Sequence, residues 1–484
     1  MTALSVPTPA EVEEALAESV SGLRWRNPEL SASTTATRAQ IIVIVSALAG
    51  VALVASLWPI PTAVAAVSVA IVLYLANLTD RIWLFSSGMG ASPALRVTDD
   101  EARAIPDDEL PIYTVLVPAF NEPDVVGQLL RNLGDLDYPE DRLDIKLLLE
   151  ADDDVTVSAA HQAMDELDLP VDVLLVPPAD PRTKPKACNF GLHFARGELV
   201  TIYDAEDRPE PLQLRRAVAA FRRVLPEVVC IQAKLAYHND RQNLLTGWFA
   251  SEYDQWFGYT LPGLMRTRSP IPLGGTSNHL RRELLSSLGG WDPFNVTEDA
   301  DLGLRLARLG YRTAVLDSVT LEEANSDPIN WLRQRSRWYK GYLQTFLVHI
   351  RDPARLQREL GWQGMVRLCS VTAGTPVVAV INVLFWGLAM AWELGQPDLI
   401  RQIFPAFVFY PAMLSLVLGN TSMMYCGLVA ARADAKPRLL LACLTVPLYW
   451  VMMSAAAIKA MVQLIFQPSY WEKTVHGLDA HHQP

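Results

Sequence analysis

Cysteine is scarce in this sequence, and its spacing excludes two common kinds of cysteine site. The five cysteines are Cys188, Cys230, Cys369, Cys426 and Cys443. Their number is odd and none belong to a Cys-x-x-Cys pair, so we expect neither a disulfide framework nor a structural zinc site. This usage suits a protein whose main domain lies in a reducing, cytosolic compartment.

Basic residues are also too few for a nucleic-acid-binding protein. The chain has 41 Lys and Arg against 53 Asp and Glu, which gives a formal net charge of -12. No stripe of Lys or Arg alternates with aromatic residues, as a nucleic-acid site would require. We therefore exclude nucleic acid as a partner.

Charge of either sign is sparse, and the apolar residues are concentrated in long runs. Charged residues make up 19% of the chain and hydrophobic residues 50%, which is apolar for a soluble protein. Residues 41–57 and 62–78 are uncharged runs of about the length that crosses a bilayer. Arginines lie outside both runs and are absent from the short turn between them, which predicts that both flanks are cytoplasmic.

The first 37 residues are rich in Ala, Ser, Thr, Glu and Pro, with at best one short helix over residues 10–20. Because this composition offers little apolar surface for burial, we expect a mobile tail. No basic region followed by an apolar one opens the chain, so we expect no cleaved signal peptide.

The centre of the chain alternates short β-rich runs with amphipathic helices, the pattern of a parallel sheet with crossover helices. We predict strands at residues 113–117, 145–149, 171–176, 199–203 and 228–233. Ligands of such sheets bind beyond the carboxyl ends of the strands. The segments that follow three of these strands are strongly polar: residues 118–122, 152–154 and 204–207.

The C-terminal part returns to apolar segments. A helix over residues 329–349 carries Trp and Tyr among Arg and Lys, which is typical of a membrane interface. Residues 371–392, 403–430 and 439–466 are long apolar segments. If the last of these crossed the membrane, residues 468–484 would lie outside the cell, so we favour an arrangement in which residues 447–466 lie along the cytoplasmic surface.

Two motifs in this half carry groups suited to a transfer reaction. Thr297-Glu298-Asp299 lies where a Gly-rich loop becomes a helix, and helical spacing puts Gln334, Arg337 and Trp338 on one face. A carboxylate that takes a proton, a cation that holds an anion and a ring that stacks on a sugar would together form a transfer site. Taken singly, the acids are also typical helix caps and the Arg and Trp typical lipid anchors.

Together these motifs, from Val115 to about Gly477, resemble those of the membrane-embedded family 2 glycosyltransferases, which include cellulose synthase, hyaluronan synthase and chitooligosaccharide synthase. The resemblance implies an α/β, GT-A type Rossmann-like glycosyltransferase domain inserted between transmembrane helices. We expect a mobile tail at 1–37, a transmembrane hairpin at 38–80, the cytosolic domain at 105–328, interfacial helices at 329–369, a membrane bundle at 370–467 and a gating-loop-like segment at 468–484.

The resemblance also implies a donor site. Its residues would be Pro118, Asn121, Glu122, Asp152, Asp153, Lys186 and Asp204. The loop at 118–122 would hold the nucleotide base, the acids at 152 and 153 would contact uracil and metal, and Lys186 would lie near phosphate at a helix start.

Asp204-Ala205-Glu206-Asp207 resembles the Asp-x-Asp motif of the family, whose carboxylates bind Mg²⁺ or Mn²⁺ together with the diphosphate. Glu206 stands in the third position and Asp207 follows it, so either residue could assist Asp204. A cluster of helix-capping acids before Pro209 is the alternative.

Catalytic and acceptor residues follow from the same resemblance. The last residue of Thr-Glu-Asp is the family's catalytic base, which assigns that role to Asp299 with Glu298 beside it. The residues implied at the acceptor and the diphosphate are Gly275, Thr276, Gln334, Arg337 and Trp338. More weakly, the C-terminal residues Trp471, Thr474 and His476 resemble a loop that closes over the nucleotide.

The function implied is that of a processive, inverting hexosyltransferase in the plasma membrane, with its catalytic domain in the cytoplasm. It would polymerise UDP-glucose or UDP-N-acetylglucosamine into a β-linked exopolysaccharide and pass the growing glycan across the bilayer, with accessory export proteins as partners. Two alternatives stay open: a transferase that adds one sugar to a lipid phosphate, and a membrane scaffold or receptor whose domain does not turn over.

Overall fold

The structure is a computed structural model that describes residues 8–90, 94–166, 171–395, 397–468, 470 and 472. The strands are β1 (Tyr113–Ala119), β2 (Leu143–Glu150), β3 (Val171–Val176), β4 (Leu199–Ile202), β5 (Arg208–Pro209), β6 (Val228–Tyr237), β7 (Asn278–Arg281) and β8 (Arg312–Glu322). The helices up to the end of the sheet are α1 (Pro9–Arg26), α2 (Arg38–Leu57), α3 (Pro59–Gly88), α4 (Asp99–Arg103), α5 (Pro123–Gly134), α6 (Asp154–Glu166), α7 (Lys184–His193), α8 (Gln213–Arg223), α9 (Leu244–Gln255), α10 (Leu261–Arg266), α11 (Arg282–Ser287) and α12 (Glu298–Arg308). After the sheet come α13 (Pro328–His349), α14 (Pro353–Cys369), α15 (Thr375–Gly395), α16 (Asp398–Ile403), α17 (Ala406–Ala433) and α18 (Leu440–Phe466).

The eight strands form one mixed sheet in the order β3-β2-β1-β4-β7-β6-β8-β5. The five predicted strands are confirmed as β1, β2, β3, β4 and β6, and β1, β2, β3 and β4 pair in parallel. The near-continuous apolar runs of β1, β2 and β4 are buried on both faces, as parallel strands covered by helices require. Sequence reasoning missed β7, which runs antiparallel between β4 and β6, and β8, which is parallel to β6.

This topology brings the polar segments to one edge of the sheet. The carboxyl ends of β1, β2 and β4 lie side by side because the three strands are parallel neighbours. Two antiparallel steps through β7 return β6 and β8 to the same direction, so β8 also ends at this edge. The fold therefore is an open α/β sheet with its chemistry-bearing loops gathered on one side.

Five helical stretches among the described residues are long and apolar enough to cross a membrane: 38–57, 59–88, 353–395, 406–433 and 437–466. Helices α2 and α3 form a pair in which the start of α2 and the end of α3 contact the rest of the protein. At its start Gln40 Nε2 donates to the carbonyl of Leu347 over 2.7 Å. At its end a Cβ on Gly88 would lie 1.9 Å from the carbonyl oxygen of Tyr259, so only glycine permits this approach.

Helices α15 and α17 form a second pair of apolar helices. The segment after α17 contacts the α/β domain through two ion pairs, Lys436 to Asp254 at 2.6 Å and Arg438 to Asp240 at 2.7 Å. The helix that follows, α18, packs lengthwise against α13. At its far end Lys459 binds Glu472 at 2.8 Å, and the Ser336 hydroxyl on α13 lies 3.5 Å from the same carboxylate. Residue 472 therefore lies beside α13.

Within the segment expected to be a mobile tail, residues 9–26 instead form a packed helix, α1, with a capping box between Thr8 and Glu11. Its buried face is made of small residues, among them Ala15, Ser19 and Gly22. The carbonyl of Ser19 accepts a hydrogen bond of 3.1 Å from Asn189 on α7. Small side chains let two helices approach closely, and this source of stability does not register as apolar composition.

The helix expected at the membrane surface, α13, is also more enclosed than predicted. Its polar residues Lys340, Gln344, Thr345 and His349 are buried. Gln344 Nε2 donates to the carbonyl of Phe294 over 2.9 Å, which ties the helix to the loop before Asp299. Buried polar groups of this kind are accepted because they are hydrogen-bonded inside the protein.

Candidate active site

One cavity of about 600 Å³ extends from the carboxyl edge of the sheet to helices α3, α15, α17 and α18. Ten predicted site residues line it: Pro118, Glu122, Asp204, Glu206, Gly275, Glu298, Asp299, Gln334, Arg337 and Trp338. Six others do not line it: Asn121, Asp152, Asp153, Lys186, Asp207 and Thr276. The predicted gating residues Trp471, Thr474 and His476 lie outside the described residues.

The two carboxylates of the Thr-Glu-Asp motif lie at the start of α12, facing the cavity. A Cβ on Gly275 would be 3.6 Å from Asp299 Oδ2 and 3.9 Å from Lys184 Nζ, so the absence of a side chain at this glycine leaves both groups open to the cavity. Burial, together with the neighbouring Asp299, raises the pKa of Glu298 to about 8. Burial also raises the pKa of Asp299. A raised pKa brings a carboxylate closer to the value that suits a base at neutral pH.

These directions predict the pH dependence of the reaction. A base works only when ionised, so kcat/KM should fall on the acid side as pH drops through the raised pKa of Asp299, at a higher pH than for an ordinary Asp. Glu298 should be protonated at pH 7 and ionise near pH 8, which places a second negative charge beside the donor and lowers the rate. The measurement is a kcat/KM profile from pH 5 to 9. Glu298→Gln should keep the acid limb and lose the alkaline one; an unchanged alkaline limb in this variant would contradict the assignment.

Lys184, rather than Lys186, is the lysine that faces the predicted donor. Its Nζ lies 2.5 Å from Asp204 Oδ1 and donates to the carbonyl of Gly275 over 2.8 Å. Burial lowers the pKa of Lys184, but the charges of Asp204 and Glu298 outweigh burial and raise it. Lys186 is fully buried, with its Nζ 2.9 Å from Glu150 Oε1. Lys186 therefore lies away from the cavity, with its charge paired inside the domain.

Asp207 has a structural rather than a cavity-facing position. Its Oδ2 accepts a hydrogen bond of 2.7 Å from the backbone amide of Asp204 and contacts the hydroxyl of Thr276. Burial raises the pKa of Asp207 well above its ordinary value, and the charge of Asp204 adds to that shift. Asp207 thus fixes the turn that presents Asp204, and Thr276 contacts Asp207 and does not line the cavity. Of the two candidates to assist Asp204, only Glu206 lines the cavity.

Of the acids after β2, Asp153 binds the loop that follows β1. Asp153 Oδ2 accepts a hydrogen bond of 2.6 Å from the backbone amide of Asn121, which has a φ of 56°. Asp153 Oδ1 accepts from the amide of Thr156 over 3.2 Å and so caps α6. Asp152 is exposed and pairs with Arg182, whose hydrogen bond lowers the pKa of Asp152. These residues shape the rim, while Pro118, Glu122 and Arg182 line the cavity.

The residues present fit a divalent cation bound together with a phosphate. No group of three His, Cys, Asp or Glu side chains in the described part of the chain is arranged to hold a metal alone. Asp204 and Glu206 offer hard oxygen ligands at the cavity wall, and the ammonium of Lys184 already lies on Asp204. Mg²⁺ is commonly held by one or two carboxylates, with water and substrate phosphate as the other ligands. This donor set suits such a site.

Trp338 is held by a buried polar network that connects three helices. Arg335 on α13 binds Glu252 on α9 through two contacts of 2.9 and 2.6 Å. The Tyr449 hydroxyl on α18 donates to the same carboxylate over 2.7 Å. The guanidinium of Arg335 lies 4.7 Å from the centroid of the Trp338 ring, within the range of a cation–π interaction. Trp338 therefore presents a fixed face to the cavity.

Sequence reasoning missed several residues that line this cavity: Glu150, Arg182, Lys184, Glu322 and Arg335. Glu322 ends β8 at the same edge as Asp204, and burial raises its pKa well above the ordinary value. An acid at the end of a β-rich run is a signal in the sequence, but this strand is not among those predicted, so the sequence analysis does not point to Glu322.

Comparison with known proteins agrees with this geometry. Residues 111–341 match the family model described as "Glycosyltransferase like family 2". The chain is 28% identical over 252 residues to "Probable glycosyltransferase YdaM" of Bacillus subtilis, covering 52% of this chain and 60% of that protein. It is 24% identical over 442 residues to the "Beta-monoglucosyldiacylglycerol synthase" of Synechocystis, covering 82% and 83%.

Among solved structures, the fold is similar to that of the mannosyltransferase PcManGT from Pyrobaculum calidifontis in complex with GDP-Man and Mn²⁺. The TM-score is 0.53 at 22% identity, and the match covers 83% of this chain and 99% of that one. The chain spans 50–60% of the length of the first three curated relatives. The sheet and the cavity at its edge agree with these similarities: residues 111–341 are similar to family 2 glycosyltransferases, and the open α/β sheet has a GT-A-like fold.

Proposed function

We propose that the protein transfers a hexose from a nucleotide sugar, with inversion, to a hydroxyl of an acceptor held at the membrane surface. The observation that carries this proposal is the convergence of donor, base and acceptor groups on one cavity. Lys184 lies against both Asp204 and the carbonyl of Gly275, Gly275 adjoins Asp299, and Trp338 lines the same space. UDP-glucose and UDP-N-acetylglucosamine are the donors proposed.

The proposed reaction is a single displacement. The acceptor oxygen attacks the anomeric carbon, the bond from that carbon to the diphosphate oxygen breaks, and Asp299 takes the proton from the acceptor hydroxyl. An α-linked donor thus gives a β-linkage. Lys184 and Arg337 are the cations of this cavity that would receive the charge of the departing nucleoside diphosphate. Burial lowers the pKa of Arg337, and the charges of Asp299 and Asp204 oppose that shift; its side chain lines the same cavity.

Mg²⁺ or Mn²⁺, bound by Asp204 and Glu206, would neutralise charge on the diphosphate. Other side chains of the protein hold the substrate-binding groups in position. Asp207 and Thr276 hold the turn that carries Asp204, and Asp153 holds the loop that carries Glu122. Preorganised groups of this kind reduce the rearrangement required when substrate binds.

For the acceptor, we propose a membrane lipid that receives one or a few sugars. The cavity ends inside the helical bundle: its lining reaches Tyr74 on α3, Asn382 on α15 and Asn420 on α17 and no farther. Beyond them, Ile71, Phe385, Val408 and Ala412 form a buried apolar cluster. The names of three relatives, beta-monoglucosyldiacylglycerol synthases, support a lipid acceptor. The catalytic domain would face the cytoplasm of a plasma-membrane protein, on the side of its flanking arginines.

The second candidate is the processive polymerase. It is favoured by the presence of Gln334, Arg337 and Trp338 together in the cavity wall, since this motif of polymer-forming relatives supplies an acceptor platform. Product size separates the two candidates. Purified protein in nanodiscs would be incubated with radiolabelled UDP-sugar and lipid extract; a product extracted into organic solvent with one or two labelled sugars supports the lipid acceptor, and an ethanol-insoluble polymer supports the polymerase. A protein that releases no nucleoside diphosphate from any nucleotide sugar would leave the scaffold as the remaining explanation.

Trp338→Ala should separate acceptor binding from donor chemistry. Loss of the stacking surface is expected to raise the acceptor KM about tenfold. Hydrolysis of the donor in the absence of acceptor should change less than twofold, because that reaction does not use the ring. The measurement is nucleoside diphosphate release with and without acceptor. Equal loss of both reactions would show that Trp338 is not an acceptor platform.

A further inference from the structure

The end of the cavity inside the helical bundle is polar, although the helices that form it are apolar. Tyr74, Asn382 and Asn420 line it from three different helices, α3, α15 and α17. Each is more than nine-tenths buried, at 7%, 9% and 9% exposure. Polar side chains within membrane-spanning helices are costly and usually serve binding or transport.

Contacts between the helices place these three residues at one level. A Cβ on Gly419 would lie 2.5 Å from the Tyr74 hydroxyl, so the tyrosine lies against the residue next to Asn420. The Tyr74 ring is 6.3 Å from that of Phe385, which is one helical turn from Asn382. The three polar groups therefore surround one small chamber, bounded on its outer side by the apolar cluster of Ile71, Phe385, Val408 and Ala412.

One of these groups lacks a partner. The Asn382 Oδ1 atom is buried and accepts no hydrogen bond within the described part of the chain. A buried amide oxygen without a donor is destabilising, and a ligand hydroxyl that donates to it would remove that penalty. Val378, Met423 and Met424 line the same arm of the cavity and offer apolar surface beside the polar groups. The chamber thus suits a ligand that has hydroxyl groups and an attached alkyl chain.

The chamber lies about the length of one sugar ring beyond Trp338, the predicted acceptor platform. Ala379 packs in the same cluster as Trp338, and Asn382 follows Ala379 by three residues, which is about 5 Å along a helix. That distance is close to the length of one sugar ring. A second, separate cavity begins on the far side of Phe385, so the two spaces are not continuous.

We infer that Tyr74, Asn382 and Asn420 form a subsite for a second sugar unit of the acceptor, which is then a glycolipid with two hexoses at most inside the protein. The inference rests on the proposed function, since it extends the acceptor site of that reaction. Trp338 would hold the terminal sugar and the chamber the sugar behind it. The apolar cluster leaves no room for a third unit along this path.

The test is a binding measurement that needs no turnover. The full chain in nanodiscs is titrated with hexyl β-maltoside and with hexyl β-glucoside, and binding is followed by tryptophan fluorescence, because Trp338 and Trp450 line the cavity. The wild-type protein should bind the maltoside about fivefold more tightly, the fold-change expected from about one additional hydrogen bond. Tyr74→Phe and Asn382→Leu should bring the two affinities to within twofold of each other and leave glucoside binding unchanged.

Leu384→Ala is the matched control, because Leu384 also lies on α15 and its side chain points outward, with 58% exposure. It should keep the preference for maltoside. If both chamber variants keep that preference, or if the wild-type protein has none, the subsite is refuted. Tyr74→Phe removes one oxygen only, so a folding defect in Asn382→Leu does not decide the matter. A protein that prefers maltoside but releases no nucleoside diphosphate would refute the proposed function and leave the subsite standing.

Discussion

Asp299→Asn is expected to lower kcat by about 10²–10⁴-fold, the contribution that a positioned general base typically makes. The asparagine has nearly the same shape and can still accept the 2.8 Å hydrogen bond that Asp299 Oδ1 receives from the amide of Ala300. What it loses is the ability to take a proton from the acceptor. Nucleoside diphosphate release under saturating donor and acceptor is the measurement.

Donor binding should survive this substitution, because the groups that would hold the nucleotide lie elsewhere on the cavity wall. Titration with UDP should give a Kd within about threefold of the wild-type value, an effect well below one hydrogen bond. The matched control is Glu298→Gln, the same chemical change one residue earlier. Since Glu298 should already be protonated at pH 7, its variant should keep most of the activity at that pH. A variant at 299 that turns over at nearly the wild-type rate would refute the base assignment.

Lys184 and Lys186, which are separated by one residue, show how much of the site the sequence predicts. The spacing of Lys184-Pro185-Lys186 marks the start of a helix near the sheet edge, and the structure confirms that helix as α7. Which lysine faces the cavity depends on the direction each side chain takes from the first turn. Glu150, at the end of β2, forms an ion pair with Lys186. The sequence does not reveal that the Glu150 side chain points into the domain.

The strands that were missed have a similar physical cause. The run at 278–281 contains Asn and His, and it becomes β7 because β4 and β6 present unpaired edges on both sides of it. Its His279 is buried and contacts the Tyr113 hydroxyl over 2.7 Å. Tertiary pairing of this kind overrides the local propensities that a sequence argument uses. Strands with continuous apolar runs, such as β1 and β2, need no such support and were predicted.

The sequence predicts those site residues whose side chains face the cavity directly and that belong to a recognisable motif. It does not predict residues that act by holding a neighbouring side chain in place. Asp204, Asp299 and Trp338 each follow a recognisable turn or helix pattern and do line one cavity. Arg335 has no signal of its own beyond a charge within an aromatic helix. Its importance to Trp338 arises from Glu252 and Tyr449, which are distant in the chain and meet it only in the fold.

Asp204→Asn is expected to abolish metal binding and to lower kcat/KM by at least about 100-fold, since loss of a cavity-facing carboxylate removes a charged ligand of the cation. Asp204 lines the cavity, and its Oδ1 already lies 2.5 Å from one cationic group, the ammonium of Lys184. Metal binding is measured directly, by the decrease in free Mn²⁺ signal in electron paramagnetic resonance, in the presence of UDP. Activity with donor and acceptor is measured in parallel.

Asp207→Asn provides the matched control, three residues away and with the same chemical change. Burial raises the pKa of Asp207 well above its ordinary value, and the amide oxygen of the variant can still accept the 2.7 Å hydrogen bond from the backbone of Asp204. Mn²⁺ affinity should therefore stay within about threefold of the wild-type value, whereas Glu206→Gln should weaken it, because Glu206 lines the cavity. If Asp207→Asn instead lost Mn²⁺ binding as completely as Asp204→Asn, with an unchanged melting temperature, Asp207 would have to be a ligand. The turn would then have to rearrange when the metal binds, because Asp207 Oδ2 is committed to Asp204 and Thr276 in this structure.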